Sequence, residues 1–273
     1  MGPDLIGRAA ELLETCDGLL ITAGAGMGVD SGLPDFRGTE GFWKAYPALA
    51  ASGLRFEDIA CPDEFTANPR RAWGFYGHRL NLYRRTMPHE GFDILKSLSS
   101  RFKHGSFVFT SNVDGHFHRA GFESSKICEA HGSIHRLQCT RPCCDEIWPA
   151  EMFLPEVDIN RCVLTSDLPL CPHCGTLARP NILMFGDGGW VSKYRDEQHK
   201  RLSNWKILPA KPVILEFGAG TAVATVRYLG DTWGPPLIRV NPREPYVKHQ
   251  HHLRYPMGAL AFLEELVKVK RNV

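Results

Sequence analysis

Apolar residues recur along this chain with two periods, and the alternation between them predicts the fold class. Leu5, Ala9, Leu12, Leu13 and Cys16 fall on one face of a helical wheel and predict an amphipathic helix at the N-terminus. The unbroken run Leu19-Leu20-Ile21-Thr22-Ala23 then reads as a buried strand. Asn68-Pro69 starts a second helix, on which Trp73, Tyr76, Leu80 and Tyr83 recur at spacings of three and four. A third helix is expected over about 92–102. Strands are expected at 106–110 and 127–130, and further short apolar runs occupy 181–185, 212–217 and 237–240. Helical patterns near 221–229 and 257–269 separate these last runs. Strands alternating with helices mean an α/β protein whose mostly parallel sheet is covered on both faces, a Rossmann-like arrangement.

The first strand ends in Gly24-Ala25-Gly26-Met27-Gly28, three alternating glycines at a sharp turn whose backbone amides become available to phosphate oxygens. The ordinary dinucleotide fingerprint, G-x-G-x-x-G, is missed because Val29 stands where its third glycine belongs. A loop carrying an acid, an aromatic and a base in succession follows: Asp35, Phe36 and Arg37. Segment 39–60 mixes Gly, Pro and the aromatics Phe42, Trp43 and Tyr46, and reads as a lid with short helical pieces. Two later strands deliver polar residues at their carboxyl ends, where ligands of open α/β sheets sit: Ser111-Asn112-Val113-Asp114 and His131-Gly132-Ser133.

Between Cys139 and Cys174 the periodicity stops and Pro, Cys and acids take over, as in a small inserted module. The expected domain plan is therefore a Rossmann-like domain over 1–138 and 176–273, with a helical or lid insertion at about 39–90, and a zinc-binding module at 139–175. Cys171-Pro172-His173-Cys174-Gly175 has zinc-knuckle spacing, and its partner pair is Cys139 with Cys143 or Cys144. Cys143 is preferred because a Pro-Cys step keeps the turn compact. A structural zinc on Cys139, Cys143, Cys171 and Cys174 stands against two alternatives, a redox Cys-x-x-Cys and a scatter of buried thiols.

With 273 residues, 43% of them hydrophobic, the chain can bury a substantial core. Its 32 basic and 30 acidic residues create no strong field, so neither nucleic acid nor an anionic membrane is an expected partner. The odd count of nine cysteines, the acids within the first helix and the lack of a long apolar run predict a cytoplasmic protein without a disulfide framework.

The run from Gly24 to Arg37 resembles the cofactor signature of the sirtuins, NAD-consuming protein deacylases with the pattern G-A-G-x-S-x-x-S-G-I-P-D-F-R. Thr110-Ser111-Asn112-Val113-Asp114 is similar to that family's T-Q-N-I-D, and His131-Gly132-Ser133 to the block holding its catalytic histidine. Cys139 lies eight residues after His131, as the family's first zinc cysteine does. Arg179-Pro180-Asn181-Ile182-Leu183-Met184-Phe185-Gly186-Asp187 resembles the strand that receives an acyl-lysine peptide.

The resemblance implies a Rossmann-like domain with a small zinc domain, and NAD and an acyl-lysine protein or peptide meeting in the cleft between them. It implies His131 as general base, with Asn112 and Asp114 positioning ribose and carboxamide. Gly24, Ala25, Gly26, Asp35, Phe36, Arg37, Ser111, Gly218, Gly220, Thr221 and Asn241 would contact the cofactor, and Met184, Phe185 and Gly186 the peptide. Tyr76 and Arg79, one turn apart, resemble the Y-x-x-R pair of sirtuins that remove succinyl and malonyl groups. Gly28, Ser111 and Gly218-Ala219-Gly220-Thr221 depart from the family pattern. Three rival readings follow: transfer of ADP-ribose to protein, hydrolysis of NAD, and a non-catalytic sensor of NAD or ADP-ribose.

Overall fold

The computed structural model describes residues 3–34, 49 and 53–271. Six strands, β1 (Gly18–Ala23), β2 (Ser106–Thr110), β3 (Ile127–Glu129), β9 (Pro212–Phe217), β10 (Leu237–Val240) and β11 (Leu253–Tyr255), form a sheet in the order β11-β10-β9-β1-β2-β3. Every neighbouring pair is parallel. From β1 the chain builds outward through β2 and β3, then returns to the other side of β1 to add β9, β10 and β11. The order therefore reverses between β1 and β9, and a crevice opens at the carboxyl ends of those two strands.

Period-two alternation explains why both faces of this sheet are covered. Leu19, Ile21 and Ala23 join one core cluster with Val213, Leu215 and Phe217, while Leu20 joins a second with Ile214, Phe107 and Phe109. The first face is covered by helices α1 (Pro3–Glu14), α5 (Gly91–Ser99) and α9 (Ala259–Arg271), through Ala9, Leu13, Phe92, Leu95, Phe262 and Leu263. The second is covered by α7 (Lys193–Lys206), through Leu202 and Trp205.

A third core cluster lies apart from that sheet. Strands β5 (Trp148–Pro149), β4 (Gly132–Cys139) and β8 (Ala178–Ile182) form an antiparallel sheet, and β6 (Val157–Asp158) pairs with β7 (Val163–Leu164). Two short helices, α2 (Phe56–Ile59) and α3 (Pro62–Ala67), lead into α4 (Pro69–Arg85), whose buried face packs on these strands. The expected face Trp73, Tyr76, Leu80 and Tyr83 is buried as its spacing implies. Trp73 Nε1 donates to the Ala178 carbonyl at 2.9 Å, and Gly74 lies so close to the Cys162 carbonyl that a Cβ would stand 2.1 Å from it.

Helix α7 (Lys193–Lys206) and strand β11 (Leu253–Tyr255) were not expected from the apolar pattern, and three further elements are displaced or were hidden. The strand expected at 181–185 runs from Ala178 to Ile182 and belongs to the antiparallel sheet. Arg179 and Asn181 are polar yet buried, paired with Asp187 and Gln138, and this hid the strand from a search for apolar runs. Strand β4 was not expected, because a register shift between Ser133 and Leu137 breaks its alternation. The helix expected at 221–229 is α8 (Thr225–Thr232): Glu244 holds Thr221 in a loop by accepting from its backbone N–H at 3.1 Å and from its hydroxyl.

Candidate functional site

Two glycine turns interlock at the crevice. Gly24 N–H donates to the Phe217 carbonyl at 2.9 Å and Gly26 N–H to the Gly218 carbonyl at 3.1 Å. A Cβ on Gly26 would meet Gly218 Cα at 2.6 Å, and one on Gly218, whose φ is +56°, would meet Gly26 Cα at 2.3 Å. Only glycine permits this approach. Beside it, a cavity of about 530 Å³ is lined by Gly26, Gly218, Gly220, Thr221, Asn241 and Glu244, among others. Asn241 braces the rim: its Nδ2 donates to the Ala219 carbonyl at 2.9 Å, and its Oδ1 accepts from the Arg243 and Glu244 amides.

A second cavity of about 320 Å³ brings together Ala25, Ser111, Asn112, Asp114 and His131, with Tyr76, Arg79, Met184 and Phe185 on the same lining. Residues from the ends of both sheets and from α4 therefore converge on one space. Asn112 Nδ2 donates to the Gly24 carbonyl at 2.9 Å, tying the end of β2 to the glycine turn. Asp114 Oδ1 accepts from the His116 amide at 2.8 Å, and burial pushes its carboxyl above the usual range. His131 Nε2 lies 2.9 Å from Thr225 Oγ1 at the start of α8, a hydroxyl that fixes the imidazole plane. Gly186, at φ +65°, turns the chain just past Phe185 and is not part of the lining. Asp35, Phe36 and Arg37 lie outside the described residues.

In the lining of this cavity Arg79 is buried among aromatic rings. Its Nε and Nη2 donate to the Tyr83 hydroxyl at 3.2 and 2.9 Å, and its guanidinium lies 5.2 Å from the Phe75, 5.7 Å from the Tyr76 and 5.5 Å from the Tyr83 ring centres. Tyr83 also lines the cavity. Sequence reasoning saw it only as one of the apolar positions of α4, because helical periodicity marks a buried ring without saying what its hydroxyl meets. The loop carrying Met184 and Phe185 is shaped by a buried fork in which Arg179 Nη1 and Nη2 donate to Asp187 at 2.7 and 2.8 Å. Asp187 in turn accepts from the Met184 amide at 3.3 Å and the Gly189 amide at 3.2 Å.

His89 is a further site-bracing residue without a sequence signal. Its Nδ1 accepts from the Gly91 amide at 3.0 Å, so Nε2 carries the proton donated to the Met27 carbonyl, also at 3.0 Å. This neutral ring holds the turn behind the glycine cradle, and burial keeps its pKa below the ordinary imidazole value.

The four predicted zinc cysteines converge. Their sulfurs all lie within 4.8 Å of one another, with Cys139 to Cys174 at 3.6 Å and Cys143 to Cys171 at 3.7 Å. Four sulfurs each about 2.3 Å from a zinc ion define a tetrahedron with edges of about 3.8 Å, so the donor set fits that metal. Thr176, through its hydroxyl and its amide, draws the Cys174 thiol down to about 6, the thiolate form a metal needs. Cys144 is 3.8 Å from Cys143 but outside the group. The redox alternative fails because the chain after Cys174 runs into β8 and not into a helix.

Two outcomes follow from these arrangements. Cys143→Ser is expected to lose bound zinc, as read by atomic absorption, while Cys144→Ser keeps a full equivalent; the reverse pattern would exchange the ligand assignment. For His89 the folded pKa is depressed, so below about pH 6.5 the unfolded chain binds the extra proton first and stability falls as pH falls. The urea midpoint is therefore expected to drop from about pH 7 to about pH 5, and less steeply in His89→Gln. An equal slope in that variant would remove His89 as a contributor.

Comparison with known proteins agrees with this geometry. The family model described as Sir2 family matches residues 24–207. The chain is 30% identical over 246 residues to NAD-dependent protein deacylase 1 of Caldanaerobacter subterraneus subsp. tengcongensis, covering 89% of this chain and 90% of that protein. It is 31% identical over 242 residues to the NAD-dependent protein deacylase of Pyrococcus abyssi, covering 88% of each. A solved structure of a Sir2 homolog–NAD complex superposes with a TM-score of 0.72 at 24% identity, covering 97% of this chain and 94% of the other, which shows the shared fold. With glycine turns, polar strand ends and a four-cysteine cluster arranged in this way, the chain belongs to the Sir2 family, the sirtuins.

Proposed function

We propose that this protein is an NAD-dependent protein lysine deacylase, and that His131, Asn112, Asp114 and the glycine turn form its reaction centre. The observation that carries the reading is the shared cavity: an imidazole, an amide and a buried carboxyl line one space with Ala25 of the glycine turn. The names of the similar proteins, NAD-dependent protein deacylases over most of their length, support it. When bound, NAD supplies a ribose whose nicotinamide is a cationic leaving group. The interlocked glycine turns would seat its phosphates against backbone that no side chain crowds, and Asn241 and Thr221 line the space for its adenosine end.

The cavity would hold the acyl oxygen of a modified lysine near the ribose carbon, and NAD would supply the bond to nicotinamide that breaks as a bond to that oxygen forms. His131 takes the proton of a ribose hydroxyl, a task an imidazole can perform, while Asn112 and Asp114 orient ribose and carboxamide. With one water consumed, the products are nicotinamide, free lysine and acylated ADP-ribose. Phe36 would screen the ribose carbon, and Asp35 and Arg37 would hold the loop carrying it. The zinc on Cys139, Cys143, Cys171 and Cys174 is structural. Nine cysteines with no disulfide among them, four of them in the zinc cluster, fit a reducing cytoplasmic setting.

The acyl chain is the finer part of the reading. Arg79, ringed by Phe75, Tyr76 and Tyr83, places a cation in the lining of the cavity and favours an acyl group ending in a carboxylate, succinyl or malonyl. The Tyr83 hydroxyl takes two of the five guanidinium N–H donors and fixes the plane in which the Nη1–Nη2 edge meets that carboxylate.

An acyl-peptide panel incubated with NAD and read for nicotinamide tests both levels. His131→Ala is expected to lower turnover of every acyl peptide by about 10²–10⁴. Arg79→Met and Tyr83→Phe are expected to raise the succinyl KM by about tenfold or more with acetyl turnover unchanged. A constant succinyl-to-acetyl ratio in both variants would remove the clamp. Absence of nicotinamide with every peptide, while NAD still binds, would favour the sensor.

A further inference from the structure

Beyond the catalytic groove, three imidazoles gather in one turn of the chain. Lys248-His249-Gln250-His251-His252 leads into β11, the edge strand, and the His252 amide donates to the His249 carbonyl at 3.1 Å. The ring centres of His249 and His251 are 5.5 Å apart, of His249 and His252 5.1 Å, and of His251 and His252 4.3 Å. His249 and His251 are exposed, whereas His252 is only 6% exposed and both of its ring nitrogens are buried without a hydrogen-bond partner. Leaving such a polar group unsatisfied is costly, and structures rarely tolerate it without a use.

We infer that His249, His251 and His252 form a second metal site, for a divalent first-row ion such as Zn²⁺ or Ni²⁺, distinct from the four-cysteine cluster. An ion held by imidazole nitrogens at about 2.1 Å stands about 3.2 Å from each ring centre, which puts ring centres about 4.5 Å apart at right angles and about 5.2 Å apart in a tetrahedron. Of the three observed separations, 5.1 Å lies in that range, and 4.3 and 5.5 Å lie just outside it. Among the described residues the cysteines are the group whose donor atoms already converge, so the histidines close on an ion by turning the two exposed rings about their Cβ–Cγ bonds.

The surrounding structure holds the turn in place for this. The Tyr246 carbonyl accepts from Arg239 Nη1 at 2.5 Å, and Lys248 Nζ pairs with Asp231 at 3.2 Å. Asp231 also receives Arg239 at 2.9 Å, so the cation next to the histidines is offset. Imidazole donors suit borderline ions, whereas thiolates hold the zinc of the cysteine cluster firmly. Because the turn precedes β11 in a parallel sheet, it lies at the strands' amino ends, away from the groove at their carboxyl ends.

The test uses the full chain, untagged and loaded with zinc on its cysteines, titrated with Ni²⁺ by calorimetry. The expected result is one further ion per chain, lost in the His249→Ala/His251→Ala double variant, whose cysteine-bound zinc content is unchanged. A synthetic peptide covering 246–254 is expected to bind Ni²⁺ at least about tenfold more weakly, because it lacks the buried third ring and its anchors. No uptake by the wild type, uptake that persists in the double variant, or equal affinity of the peptide would each overturn the site.

Discussion

The backbone-to-backbone contact between Gly26 and Gly218 is the constraint on which the rest of the site depends. Cα and carbonyl atoms of two turns meet where any side chain would collide, and this closeness joins the ends of β1 and β9 at the point where the sheet order reverses. The Gly24 and Gly26 amides bond the Phe217 and Gly218 carbonyls, so the junction is held by backbone alone. Asn112, reaching across to the Gly24 carbonyl, extends the same junction to β2, and His89 supports it from behind through Met27. A junction made of backbone alone needs such bracing, because no side chain of its own fixes its shape.

The groove also needs a second wall. That wall is the antiparallel sheet with α4, built around a separate apolar cluster and linked at its outer end to four cysteines that replace a core by a metal tie. Trp73, bonded to the Ala178 carbonyl, and Gly74, pressed against Cys162, set how closely α4 lies on β8 and β7. The Arg179–Asp187 fork, buried on both sides, then fixes the loop with Met184 and Phe185. Removing one member of such a pair leaves an uncompensated buried charge, so shape here rests on the pair staying whole. The lining of this cavity thus comes from the helix α4 and from the loop that follows β8.

Local chemistry was legible in the sequence and long-range pairing was not. The glycine turn, the polar ends of β2 and β3, the buried face of α4 and the cysteine spacing are each written within about one or two turns of chain, and each is found as expected. Strand β8 was displaced because its buried residues Arg179 and Asn181 find partners at positions 187 and 138, which no periodicity reveals. Strand β4 was hidden by its bulge, and the start of α8 by Glu244 capturing Thr221 from 23 residues away. Thr225 beside His131, the hydroxyl of Tyr83 on Arg79 and the His89 brace share that origin. Each is a polar contact whose meaning exists only after folding.

One groove holding both a phosphate cradle and an imidazole is an arrangement for splitting a glycosidic bond and passing an acyl group to the freed ribose, with no hydride moved. The most direct measurement is mass spectrometry of the products formed from NAD and an acyl-lysine peptide, with the acyl group isotopically labelled. The account predicts nicotinamide, unmodified lysine and labelled ADP-ribose in equal amounts. Label recovered as free carboxylate beside bare ADP-ribose, ADP-ribose attached to protein with the peptide still acylated, or reduced nicotinamide cofactor would contradict it.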